Sequence, residues 1–211
     1  MSFTDNNEPS YDIQEGVAWD EIKIDDTVVK ALKHADALYY GTLACRSAAN
    51  RDSLLQALSM TKGLRVLDLN LRPPYVNWEW IKVLLKHSDA LKLNLDELTE
   101  LTNALSFKHT DSVTNKAQMI LSEYEIKWIA ITRGSLGTLW ISADEVVEAD
   151  SPIKQPGGDP VGAGDACVSA LLTSLLRGDD PRDAVSFANQ VGCYVASQVG
   201  ATPKLPDILL P

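Results

Sequence analysis

A chain of 211 residues, 45% hydrophobic and 23% charged, is long enough for one globular domain with its own core. The net charge of −10, with no run rich in Lys and Arg, argues against nucleic acid as a partner, and no apolar run approaches the roughly 18 residues of a membrane span. Cys45, Cys167 and Cys193 are far apart and form no C-x-x-C, which speaks against a disulfide framework or a structural zinc site and for a reducing, cytoplasmic setting; the opening Met1-Ser2-Phe3-Thr4-Asp5-Asn6-Asn7 does not read as a signal peptide.

In chain order, Asp5-Asn6-Asn7-Glu8-Pro9 reads as a turn between Phe3 and the short extended piece Ser10-Tyr11-Asp12-Ile13. From about residue 25 the pattern becomes regular. It predicts a helix over 27–34, a strand over 37–41, a helix over 48–60, a strand over 64–69 and a helix over 78–87, in which Trp78 and Trp80 pack. A strand over 90–93 and helices over 95–104 and 112–124 follow. Two strands come next, 128–132 and 138–141, separated by Gly134 and Gly137; the first is a continuous apolar run, as a buried parallel strand should be. One helix runs from about Gly164 to Arg177 and stops at Gly178. The last has Asp180 as N-cap, Pro181 at its first position and Asp183 in its first turn, and ends near Gln198. Strands alternating with helices imply an α/β fold, a mainly parallel sheet with helices on both faces. Ligands bind at the carboxyl ends of such strands, so the loops 68–72, 94–97 and 132–137 are expected to face one side together.

The most informative stretch is Gly157-Gly158-Asp159-Pro160-Val161-Gly162-Ala163-Gly164-Asp165, which leads into the apolar positions Val168, Leu171, Leu172 and Leu175. A glycine turn that opens a helix exposes backbone amides to an anion, and the helix dipole adds positive potential there. The stretch is neither a P-loop, since no Lys follows the glycines, nor a dinucleotide fingerprint, since Cys167 stands where a small third residue is required. Taken alone it is a glycine-rich helix start with Asp165 as a first-turn charge; the other loops move the reading further. Asn94 and Glu97, three apart at a strand-to-helix junction, share one face of the first turn, either as a polar helix start or as groups for a hydrated Mg2+ and a triphosphate. Arg72 suits a phosphate clamp or a loop ion pair. His34, His87 and His109 have no metal-ligand spacing.

These segments carry a family resemblance. The run from Asp159 to Ala166 resembles the C-terminal signature of the PfkB, or ribokinase-like, sugar kinases. Asp68-Leu69-Asn70-Leu71-Arg72-Pro73 resembles the family's D-x-N-x-R segment, Lys92-Leu93-Asn94-Leu95-Asp96-Glu97 its K-x-N-x-x-E segment, and Ile131-Thr132-Arg133-Gly134-Ser135-Leu136-Gly137 its T-x-G-x-x-G nucleotide loop. Gly200-Ala201 matches a further pair, and Val17-Ala18-Trp19-Asp20 suits the fructokinase-like branch. The resemblance implies a three-layer ribokinase-like fold that lacks its N-terminal segment and most of its β lid, with 1–20 as a remnant of the lid region and 21–211 as the nucleotide-binding core.

The resemblance further implies ATP-dependent phosphoryl transfer to a primary sugar hydroxyl. Asp165 is the implied base, and the amides of Gly162, Ala163, Gly164 and Asp165 the anion hole. Asn94, Thr132, Gly134, Gly137 and Asn189 are implied in nucleotide binding, Arg72 in substrate or phosphate contact, and Glu97 in holding Mg2+ through water. ATP, Mg2+ and a monovalent cation such as K+ are the implied cofactors, with a homodimer in the full-length form. Pro160 departs from the signature, which usually carries Thr there; the expectation is that the four following amides remain available. A relative that binds nucleotide but transfers nothing is the alternative, because the sugar-contacting N-terminal residues of the family are absent.

Overall fold

The computed structural model describes residues 2–3, 9–10, 13–107, 110–152 and 158–210; the turn expected at Asp5-Asn6-Asn7-Glu8, along with His109 and Gly157, lies outside them. Strands β1 (Ser2–Phe3) and β2 (Pro9–Ser10) pair antiparallel as a small separate sheet. Then follow α1 (Asp26–His34), β3 (Ala37–Gly41), α2 (Ala48–Met60), β4 (Leu64–Asp68), α3 (Trp78–Lys86), β5 (Ala90–Asn94), α4 (Leu95–Ala104), α5 (Val113–Tyr124), β6 (Trp128–Thr132), β7 (Thr138–Ser142), β8 (Val146–Ala149), α6 (Ala163–Arg177) and α7 (Pro181–Ala196).

Helix starts follow side-chain chemistry. Asp25 Oδ1 accepts the Val28 amide at 2.9 Å to open α1, and Asn77 Oδ1 accepts that of Trp80 at 3.0 Å to open α3. Asp180 and Pro181 open α7 as expected, and Gly178 ends α6 in the left-handed conformation. From residue 25 onward the expected elements are all present within about two residues of their boundaries, whereas Tyr11 and Asp12 of the extended piece expected at Ser10-Tyr11-Asp12-Ile13 lie outside the described residues; β8 is an addition, because only Val147 of its four residues is buried and the apolar signal is correspondingly weak.

The main sheet has the order β3-β4-β5-β6-β7-β8, each strand beside its predecessor in sequence. The strands β3 to β6 are parallel; β7 and β8 turn back antiparallel. Alternation along each strand assigns its residues to two cores. Leu67, Leu91, Leu93, Ile129 and Ile131 pack with residues from α2, α3, α4 and α5 on one face. Val66, Ala90, Ala130, Trp128 and Trp140 pack with α6 and α7 on the other. Helices therefore cover both faces, and each fully buried leucine or isoleucine stabilises the layers by about 1.5–3 kcal/mol. Before the main sheet, residues 13–22 are pinned by Arg46: its guanidinium grips both oxygens of Asp20, at 2.7 and 2.8 Å, between the rings of Trp19 and Tyr75.

Candidate active site

Because β4, β5 and β6 run parallel, the loops that leave them emerge at one edge of the sheet. Asn94 Oδ1 accepts the Glu97 amide at 2.8 Å, and Glu97 Oε2 accepts the Asn94 amide at 2.8 Å, a reciprocal cap for α4. Glu97 Oε1 accepts the Leu71 amide, also at 2.8 Å, so this one carboxylate joins the loop after β4 to the loop after β5. Burial pushes the Glu97 carboxyl above its usual range, more than the amides of Asn94 and Leu71 and the charge of Lys92 pull it down. Each oxygen already holds a backbone amide, which leaves its second lone pair for water. Arg72 is half-buried at the same edge, and its Nη1 donates to the Leu71 carbonyl at 3.1 Å.

On the sheet face toward α6, Asp68 and Lys92 are register partners, joined by a 3.1 Å contact from Nζ to Oδ2. The Tyr39 hydroxyl donates to the same oxygen. Asp68 Oδ1 is buried with no partner among the described residues. Burial, then the charge of Asp68, holds the Tyr39 hydroxyl protonated far above its usual range, and the charges of Asp165 and Glu97 add to this. The Lys92 ammonium lies 3.9 Å from where a Cβ on Gly164 would sit, so the sheet face reaches the start of α6.

The turn before α6 is braced from the end of α7. Asp159 Oδ1 accepts the Val161 amide at 3.0 Å, and Oδ2 accepts the Gly200 amide at 3.1 Å. Gly162 has φ +79°, and a Cβ there would lie 2.3 Å from the Ala201 carbonyl oxygen; this close approach accounts for the Gly200-Ala201 pair noted in the sequence. One expectation needs correction. The Ala163 amide donates to the Pro160 carbonyl at 3.2 Å, closing the tight turn that Pro160 initiates, so it already has an acceptor within the turn. The amides of Gly162, Gly164 and Asp165 have no acceptor among the described residues. Asp165 is exposed and borders a cavity of about 390 Å3, whose far wall is the apolar set Phe187, Val191, Val195 and Leu209.

On the other side of the turn lies a cavity of about 510 Å3, bordered by Thr132, Gly134, Gly137, Gly164 and Asn189. Gly137 has φ +74°, and a Cβ there would fall 2.1 Å from the Ala149 carbonyl oxygen, so only glycine lets β8 close against this loop. Asn189 borders the cavity but is already bonded. Its Oδ1 accepts from Thr138 Oγ1 at 2.7 Å, and its Nδ2 donates to the carbonyls of Ala149 at 2.6 Å and Asp150 at 3.3 Å. Its polar atoms hold α7 to β7 and β8. Of the sequence-expected residues, Gly162 and Asp165 border the first cavity and Thr132, Gly134, Gly137, Ala163, Gly164 and Asn189 the second, whereas Asn94, Glu97 and Arg72 stand at the loops after β4 and β5 and border neither. Tyr39, Lys92, Thr138 and Asp159 were given no role in the sequence reading, although a lysine inside the apolar strand Ala90-Leu91-Lys92-Leu93 was a visible signal.

Comparison with known proteins bears on the family and the fold. The model of the pfkB family of carbohydrate kinases matches residues 5–208. The chain is 30% identical over 195 residues to Fructokinase-1 of Oryza sativa subsp. japonica, covering 84% of this chain and 58% of that protein. It is 33% identical over 109 residues to the bifunctional protein HldE of Shewanella sediminis, covering 52% of this chain and 22% of that protein. It superposes on the Vibrio cholerae O395 fructokinase bound to fructose, ADP and calcium ion with a TM-score of 0.67 at 25% identity, over 78% of this chain and 56% of that one. The chain spans about half the length of the fructokinases it matches. With the family model covering nearly every residue and the ribokinase-like α/β layers in place, the chain belongs to the pfkB family of carbohydrate kinases.

Proposed function

We propose that this chain carries the phosphoryl-transfer half of an ATP-dependent, fructokinase-like sugar kinase. The observation that carries the reading is the turn at the start of α6, where amides with no acceptor among the described residues stand beside the exposed Asp165 and between two cavities. ATP fits the arrangement. The cavity bordered by Thr132, Gly134 and Gly137 accommodates the nucleoside, and the amides of Gly162, Gly164 and Asp165 supply the donors a phosphoryl group needs. Mg2+ fits as a hydrated ion, with Glu97 reaching it through water because both carboxylate oxygens already hold amides; bound with ATP, the ion neutralises triphosphate charge.

In this reading Asp165 accepts the proton of the primary sugar hydroxyl as that oxygen attacks phosphorus. The amides of Gly162, Gly164 and Asp165 hold negative charge that grows on the phosphoryl oxygens, aligned before reaction by the Asp159 brace and the Gly162 contact with Ala201. Arg72, which stands beside the Glu97 bridge, is read here as the contact to phosphate or substrate. The test is a coupled assay with D-fructose and MgATP across a sugar panel. Turnover that falls by roughly 10²–10⁴ in Asp165→Asn supports the reading; folded protein with no turnover on any sugar rejects it.

A second reading has its own observation. The cavity beyond Asp165 is walled mainly by apolar side chains, which cannot hydrogen-bond a polyol. On that basis the chain binds nucleotide without phosphorylating a sugar. Calorimetry separates the two: ATP binding without sugar binding favours the second.

A further inference from the structure

Lys92 is a charged side chain in a strand whose other residues, apart from Asn94 at its end, are apolar, and it is only 8% exposed. A buried charge persists where it is paired or where it serves something else, and stability alone does not require this one: buried ion pairs can often be replaced by apolar residues without loss. The Asp68 carboxylate takes one of the three ammonium N–H groups; the other two have no acceptor among the described residues. The charge is held by Asp68 at 3.1 Å and sits 3.9 Å from the Cβ that Gly164 lacks, at the start of α6. The neighbouring cation Arg133 is committed elsewhere, to Glu148 at 2.6 Å and the Leu136 carbonyl at 2.8 Å.

We propose that Lys92 is the buried counter-charge of the anion turn: held by Asp68, which Tyr39 steadies in turn, its ammonium faces the terminal phosphoryl group at Gly162, Gly164 and Asp165 and makes the site prefer a nucleoside triphosphate to a monophosphate. This rests on the proposed role of the turn as the phosphoryl site. In an acidic chain the potential for a polyphosphate must come from local donors, and a desolvated ammonium beneath a glycine is a strong local source.

The experiment is calorimetric titration of ATP and AMP, with Mg2+ in excess, into the chain, into Lys92→Met and into the double variant Asp68→Asn/Lys92→Met. The double variant removes both charges, so that no buried carboxylate is left unpaired if Lys92→Met alone fails to melt cooperatively. The expected result is a loss of ATP affinity of roughly 10- to 100-fold, the range for a hydrogen bond to a charged group, with AMP affinity unchanged within about twofold. Equal losses for ATP and AMP mean a merely structural lysine and overturn the proposal, as does an unchanged ATP affinity. If the unmodified chain binds no nucleotide, or binds ATP no better than AMP, the reading of the turn as a phosphoryl site fails first and the role of Lys92 fails with it.

Discussion

The two ends of β5 handle negative charge in opposite ways. At its amino end, Asp89 accepts the Arg65 amide at 2.9 Å and the Arg65 guanidinium at 2.7 and 3.2 Å, and Lys127 Nζ lies 3.3 Å away. Burial pushes the Asp89 carboxyl up, but the Arg65 guanidinium and amide and the Lys127 ammonium outweigh it and hold the pKa at about 2. At the carboxyl end, Asp68, Glu97 and Asp165 gather near Lys92; one Asp68 oxygen has no partner among the described residues, and Glu97 is pushed above its usual range. The amino end is electrostatically complete, and it joins β4, β5 and β6. The carboxyl end is left incomplete, as a site must be if a phosphoryl group and a hydrated cation are to finish it.

The comparison breaks most visibly at Asp165. Asp165→Asn should lower turnover by roughly 10²–10⁴. Because the side chain is exposed, the melting temperature should stay near that of the unmodified chain. Parallel measurement of rate and melting separates the outcomes: a rate unchanged by the substitution removes Asp165 from the base role. Glu97→Ala acts at the same end through structure. It strands the buried amide of Leu71, at about 1–3 kcal/mol in urea unfolding, and frees the part-buried amide of Asn94, which water can reach. A cost below about 0.5 kcal/mol would show that the two loops are not held by this carboxylate.

Much of this was legible in the residues, for identifiable reasons. The helices announced themselves through Asp180-Pro181, Gly178 and the Asn94-to-Glu97 spacing, because caps are local chemistry that needs no tertiary partner. The gathering of three loops at one edge followed from parallel strands alone. What could not be read was tertiary. Asn189 is one residue of a long helix, and nothing local reveals that Thr138, Ala149 and Asp150 consume its polar atoms. The Ala163 amide is lost to Pro160 through the geometry of a turn, not through any change of residue type at 163. Strand β8 was missed because an edge strand with one buried side chain lacks the alternation that marks a strand. Lys92 was visible as an anomaly, but its role needed the contact with Asp68 and the approach of Gly164, which lies far along the chain.

Asn189→Ala sharpens the distinction between bracing and binding at the nucleotide cavity. It leaves Thr138 Oγ1 without its acceptor and releases the Ala149 carbonyl, at about 1–3 kcal/mol of stability in urea unfolding. If Asn189 is chiefly a brace, ATP affinity measured where the variant is fully folded should fall by less than about tenfold, below the loss expected for a charge-assisted contact. A larger fall in affinity with unchanged stability would make it a nucleotide contact after all.

The smallest effect returns to the amino end of β5 and tests the contrast by its pH dependence. The folded-state pKa of Asp89 is about 2, below the ordinary 3.8, so its contribution is fully present above 3.8 and disappears as pH falls through about 2. The stability gap between the chain and Asp89→Asn should therefore narrow over that interval, from a value of order 1 kcal/mol, since Lys127 is largely exposed and solvent screens the pair. Glu97 should behave oppositely. Its pKa is raised from 4.5 on folding, so the folded state holds that proton more tightly, and the gap between the chain and Glu97→Ala should widen as pH falls toward 4.5. Urea unfolding of both variants from neutral pH downward reads both slopes. Slopes of the same sign would mean that the two ends of the strand do not differ in how they settle charge, and that the carboxyl end is not held open for a ligand.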